Sequence, residues 1–320
     1  MRALPLLASL LALPACSRPR APVAAVAGQS LPAERLAHLM VLAQPMPLTA
    51  QAASELASHW VTLMAFGVRM AAGDSMLDSA TVADLMRYRI RQEVLGEWRR
   101  RLLARKPPTE AAHFDSTYAR ELLRTRHARL TEDGPALLRE IAEAPWKTLE
   151  STPVLATFDG GAVAASRLQQ YVQYLTPATR LDIRAATDDR ITDFLWGFVL
   201  DELLEAQAES AGVHVSEEAF RTMAHACREV VHTLWERADL SPASLAAAGP
   251  TRGHRDEAAA RRVESYLEAA VARRVPFEPL PPFLTVPLLR DVEWESAVER
   301  MDGVVEQARR LLAAAGSSEP

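Results

Sequence analysis

The sequence predicts a mostly α-helical fold, laid out as two helical modules in tandem, each opened by a short strand. Three observations predict it. Glycine is scarce, at 13 of 320 residues, while Ala, Leu, Arg and Glu dominate. Apolar residues recur at three- and four-residue steps, the period of one buried helix face. The order strand, helix, long helix, Gly stop, long helix occurs twice, over residues 22–105 and 153–238.

The chain opens with Met1-Arg2, an apolar run from Ala3 to Leu13 broken only by Pro5 and Ser9, and then Pro14-Ala15-Cys16. A charged start, an apolar stretch and a small residue before the cut make a secretory signal. The run is shorter than the about 20 residues a membrane-crossing helix needs. Residues 1–15 are therefore read as a signal peptide and 16–21 as a tether.

Val23 to Gly28 reads as a strand closing in a Gly turn. Pro32 suits the first position of a helix running through Leu36, Leu39 and Met40. Thr49 is the N-cap expected for the next helix, on which Leu56, Trp60, Leu63, Gly67 and Met70 share a face up to a stop at Gly73. Asp78 opens another, carrying Val82, Met86, Ile90, Val94 and Trp98 to Leu102. Pro107-Pro108 breaks the chain, and a further helix spans Glu110 to Arg124. The second half repeats this order. Val154 to Phe158 is a strand before Gly160-Gly161, and Val163, Arg167 and Leu168 stand where Leu31, Arg35 and Leu36 stood. A long helix from Asp189 to Ser210 turns Ile191, Leu195, Phe198 and Leu203 inward and stops at Gly212. Ser216 opens the next. Arg255 to Arg274 is helical, Val275 to Phe283 is an extended Pro-rich crossing, and Glu293 to Ala315 is a last amphipathic helix with Val298, Met301, Val305, Ala308 and Leu312 on one face. The expected division is a first module over 22–125, a connector over 126–152, a second module over 153–274, a crossing over 275–290, a C-terminal helix over 291–315 and a tail over 316–320.

Hydrophobic residues make up 49% and charged residues 24%, as in ordinary globular proteins, so a core is expected rather than disorder. The net charge of −5, or −6 once Arg2 leaves with the signal, gives no reason to expect a nucleic-acid partner. Arg87, Arg89 and Arg91 with Arg99-Arg100-Arg101 form the basic cluster, read as a solvated helix face; Glu202, Glu205 and Glu209 are read the same way. His225, Glu229 and His232 fall at i, i+4 and i+7, but this is not the spacing of a zinc-protease helix, and Cys227 lies on another face. No metal and no cofactor is expected. No nucleophile elbow, phosphate loop or dinucleotide fingerprint occurs, and no catalytic residue is assigned.

Leu13-Pro14-Ala15-Cys16 resembles the lipobox of bacterial lipoproteins. The resemblance implies diacylglycerol on the Cys16 thiol, cleavage before it and acylation of the new terminus, enough acyl chains for stable anchoring. Cys227 would then have no partner for an intrachain disulfide. Ser17 is compatible with the outer membrane.

Val23-Ala24-Ala25-Val26-Ala27-Gly28-Gln29-Ser30-Leu31, with the helix after it, resembles the opening of the chaperone module in the SurA/PpiC group of exported folding factors. Ser210-Ala211-Gly212-Val213-His214-Val215-Ser216-Glu217-Glu218 resembles the helix–Gly–Val element that ends it. The resemblance implies SurA-N-like modules, a C-terminal helix packing back on the first of them, and a membrane-anchored, ATP-independent envelope chaperone whose partners are unfolded exported or outer-membrane polypeptides. Members of the group usually carry a parvulin isomerase domain. Arg126-His127-Ala128-Arg129-Leu130 falls where its first strand would begin, but no Gly-Gly-x-Leu-Gly segment and no Gly-aromatic-His ending follow. Four strands take about 20 residues and each helix about 11, more than the connector holds. An active prolyl isomerase and a structural adaptor of an envelope complex are the alternatives. Six of the nine methionines lie between Met40 and Met86. Methionine suits adaptable surfaces, so Trp60, Met64, Phe66 and Met70 are the candidates for a client groove, with core filling as the other reading.

Overall fold

The computed structural model describes residues 21–105, 114–147, 149, 151, 153–277 and 279–316, and these are mostly helical. Cys16, the signal peptide and Pro107-Pro108 lie outside them.

Along the chain, β1 (Ala24–Val26), β2 (Gln29–Leu31), α1 (Ala33–Leu42), α2 (Ala50–Ala71) and α3 (Ser79–Leu85) begin one hydrophobic core. α4 (Arg87–Leu103) leads away from it. A second core is built by α5 (Phe114–Thr125), β3 (Arg129–Leu130), α6 (Gly134–Glu143), β4 (Val154–Phe158), β5 (Gly161–Ala164), α7 (Ala165–Gln173), α8 (Pro177–Ala185) and α9 (Asp188–Ser210). The chain then returns to the first core with α10 (Glu217–Ala238), α11 (Pro242–Ala247), α12 (Arg252–Val271), α13 (Pro282–Asp291), β6 (Trp294–Ser296) and α14 (Met301–Gly316). The two cores do not coincide with segments 22–125 and 153–274. They form a base lobe, made of both ends of the described chain, and an inserted lobe. Amphipathic spacing shows that α10 and α12 bury a face; it does not show that the face meets α2 and α3 rather than α9.

Local chemistry sets the boundaries where caps were expected. Thr49 accepts from the Ala52 N–H, Asp78 from those of Ala80 and Thr81, and Ser216 from that of Ala219, each satisfying an end of its helix. Gly73 and Gly212, at φ +87° and +64°, supply the left-handed residue that closes α2 and α9. The helix expected from Asp78 to Leu102 is broken at Met86. Met86 is buried in the first core while Leu95 and Trp98 are buried in the second, so the break turns the chain from one to the other.

Two three-stranded antiparallel sheets are present, ordered β2-β1-β6 and β3-β4-β5. Each lobe thus has a β-hairpin followed by a helix. The second sheet crosses the connector, pairing Arg129 with Thr157 and Leu130 with Ala156. It is purely antiparallel, and no mixed sheet of parvulin kind occurs among the described residues.

In the base lobe α2 lies against α12, and α14 lies against α1 and α2. Gly67 lets the first pair close: a Cβ there would sit 3.1 Å from Val263 Cγ2. Trp60, Met64, Phe66 and Met70 are each at most 1% exposed. They fill this core and offer no groove, which corrects the client-surface expectation. α2 is covered on several sides, by α1, α12, α13 and α14, so a helix face left open in the sequence reading is closed by elements distant in sequence. Two further expectations are corrected. The Pro-rich crossing gives way at Pro282 to α13, with Pro282 in its first turn and Pro287 inside it, held against α2, α3 and α4. Val298 is 61% exposed in a 3-10 turn (Val298–Arg300), and the last helix starts only at Met301.

Candidate functional site

Where the lobes meet, a cleft of about 720 Å³ opens between the first half of α4, the face of α7, the end of α9 and α13. Its centre is aromatic. The Tyr88 and Tyr174 rings stack with centroids 4.6 Å apart and planes 12° from parallel. Tyr171 lies 6.0 Å from Tyr88 and is backed by Phe198 at 5.5 Å. Burial pushes the Tyr171 phenol up to about 12 and raises that of Tyr174 as well. Both are therefore neutral hydroxyls over the whole physiological range.

Beside the tyrosines lies a cluster of two cations and two carboxylates. Arg91 Nη2 is 2.6 Å from Glu202, and its Nε is 2.9 Å from Glu205, at ion-pair distance but out of line for a hydrogen bond. Arg167 reaches the same two acids at 3.0 and 2.9 Å. Burial works against the Arg167 charge, but the two carboxylates outweigh it and raise its pKa. Nearby, Arg99 pairs with Asp201 at 2.7 Å, whose carboxyl is nonetheless raised because burial outweighs Arg99 and Arg91. Arg91 and Arg99 on α4 thus find their partners on α9, while Arg87 pairs with Asp84 and Arg100 and Arg101 pair with Glu97. The side chains of Arg91 and Glu202 are only 14% and 12% exposed, which corrects the solvated reading at these two positions, while Arg87, Arg89, Arg100, Arg101 and Glu209 are exposed as that reading expects. A signal existed: cations at 91 and 99 and acids at 201, 202 and 205 fall at helical steps with opposite sign.

A second, smaller cavity of about 370 Å³ shares Gln173 and Arg290 with the cleft. Trp146, from the segment after α6, crosses to the base lobe and meets Trp294 edge to face at 5.9 Å.

The other residues singled out in the sequence stay apart from this junction. His127 is exposed at the turn from α5 into β3, with φ +46° and Nδ1 2.6 Å from Asp159 Oδ2. It fastens a helix-to-strand turn. His225 and Glu229 are exposed and 3.9 Å apart, His232 packs on Trp235, and no group of three metal-ligating side chains occurs among the described residues. Cys227 is a buried free thiol, pushed up to about 11 by burial. The junction cleft itself was missed, since it is made by α4, α7, α9 and α13 coming together across both lobes.

Compared with protein-family models, with curated proteins and with solved structures, the chain matches none. Among the described residues no helix is long and apolar enough to cross a membrane.

Proposed function

We propose that the protein is a lipid-anchored, ATP-independent holding chaperone of the cell envelope, akin in its helical modules to the SurA/PpiC group and without isomerase activity. The observation that carries this reading is the cleft between the lobes, with its wall of three tyrosines. Unfolded polypeptide exposes apolar and aromatic side chains joined by main-chain amides. Flat tyrosine faces accept the former by stacking, while neutral phenol hydroxyls and the Gln170 amide hydrogen-bond the latter. Arg91, Arg167, Glu202 and Glu205 beside them are already paired with one another, so this cluster selects no particular charge. Each contact is weak, as holding and release without nucleotide require. Acyl chains on Cys16 would keep the cleft at the membrane, raising its effective concentration for arriving clients.

The test is aggregation of an unfolded outer-membrane protein in the presence of the detergent-purified full chain without nucleotide. Protection is expected, and Tyr174→Ala should weaken it while the circular dichroism stays helical. No protection at molar excess over client would make a structural envelope adaptor the better reading.

A further inference from the structure

The smaller cavity differs from the cleft in its chemistry. Trp146, Leu149, Leu289 and Trp294 give it apolar walls, and Lys147 and Arg290 give it two cations. Among the described residues no carboxylate lines it, whereas Glu205 and Glu209 line the larger cleft. Arg290 is already paired with Asp84 at 2.8 Å and Asp291 at 3.0 Å, so Lys147 is the less compensated of the two cations. Lys147 is held only at long range among the described residues: its ion pair with Glu140 spans 4.0 Å, and its side chain is 63% exposed. Arg290 uses Nε on Asp291 and Nη2 on Asp84, and its Nη1 group takes part in neither bond. Two cationic side chains therefore line a pocket walled by indole and leucine.

We propose that this cavity binds the carboxyl-terminal end of a polypeptide, the terminal carboxylate toward Lys147 and Arg290 and the last apolar or aromatic side chain between the tryptophans and leucines. The chemistry asks for a carboxylate and an apolar group on one residue. A chain terminus has both; an internal Asp or Glu has the carboxylate without the apolar group. The volume, about 370 Å³, suits one large terminal residue. Gln173 and Arg290 are walls of both cavities, so the residues before the terminus continue directly into the tyrosine-lined cleft. The inference rests on the chaperone reading for the nature of its ligand, and adds that one end of the client is read.

The test uses a fluorescently labelled peptide ending in Phe, as the free acid and as the amide, titrated with the detergent-purified full chain and read by anisotropy. A charge-assisted contact should make the free acid bind about tenfold tighter. Added salt should narrow that gap, because Lys147 is solvent-exposed. Lys147→Gln should remove most of the preference, weakening the free acid far more than the amide. An amidated peptide with an internal Asp should bind no better than the plain amide. Equal binding of acid and amide, a preference that survives both Lys147→Gln and Arg290→Gln, or no binding of either peptide overturns the proposal. The aggregation assay separates the two claims: protection without an acid preference sinks only the terminal site, and an acid preference without protection sinks only the chaperone.

Discussion

Truncating Met64 to Ala should destabilise the base lobe by about 2–5 kcal/mol, the range for removing a buried Met side chain. Met64 is 1% exposed, on α2 between helices drawn from both ends of the chain. The substitution removes three heavy atoms. At about 0.8 kcal/mol per buried methylene-sized group, transfer alone accounts for about 2 kcal/mol, and the cavity left behind adds to it. Met64→Leu keeps the volume and should cost less than about 1.5 kcal/mol. Urea unfolding followed by tryptophan fluorescence measures both. Trp60, Trp146, Trp235 and Trp294 report on the base lobe, and Trp98 and Trp196 on the inserted lobe, so replacing one set with Phe isolates each transition. The midpoint for the base lobe should fall with unchanged slope while that of the inserted lobe stays put. Met64→Glu with Met70→Glu should unfold the base lobe outright, because two carboxylates would be buried without partners. A Met64→Ala protein of unchanged stability that had lost its holding activity would refute this reasoning and return Met64 to a surface role.

Cys16→Ala should abolish lipidation and maturation: mass spectrometry should find an acylated Cys16 as the first residue of the wild-type protein, and an unmodified terminus at any other position would exclude the lipobox reading. The purified protein should not speed cis–trans exchange of a prolyl peptide, an uncatalysed process of about tens to hundreds of seconds in which even slight catalysis shows. Acceleration that rises with protein concentration and disappears in His127→Ala would restore an isomerase.

What could be read in the sequence was local. Thr49, Asp78 and Ser216 announce helix starts because a side-chain oxygen one turn before the first free N–H acts within a few residues. Gly73 and Gly212 announce helix ends because only a residue at ease with positive φ closes a helix that way. The assignment of faces to partners was not local. Trp60 and Met70 have the spacing of a face, yet what covers that face is α12, 204 residues on in the case of Trp60 and Glu264, whose carboxylate accepts the indole N–H. The same limit hid the junction cleft. Tyr88 stood in a basic run and Tyr171 and Tyr174 in an unremarked helix, and only the approach of α4 to α7 stacks them.

α4 is the element on which the site depends, because it belongs to both lobes. Ile90, near its start, packs on the first core, and Leu95 and Trp98 sit in the second. Its apolar residues alone would leave its rotation against α9 loosely defined, since leucine tolerates several neighbours. The charged cluster removes that freedom. Arg91 has to place its planar fork against Glu202 and Glu205 together, and Arg167 approaches the same carboxylates from α7. The Coulombic gain of such a cluster is largely offset by the loss of hydration, so it adds little net stability. Deleting Arg91 alone would also leave both acids with Arg167, which softens the loss compared with an isolated buried pair. What the cluster contributes is geometry. With Arg91 turned toward α9, Tyr88, three residues earlier and so on the same side of the helix, is carried over α7, where Tyr174 stacks on it. The paired charges and the aromatic wall are therefore one arrangement: the first fixes the angle of α4, and the second is the surface that angle presents to a passing chain.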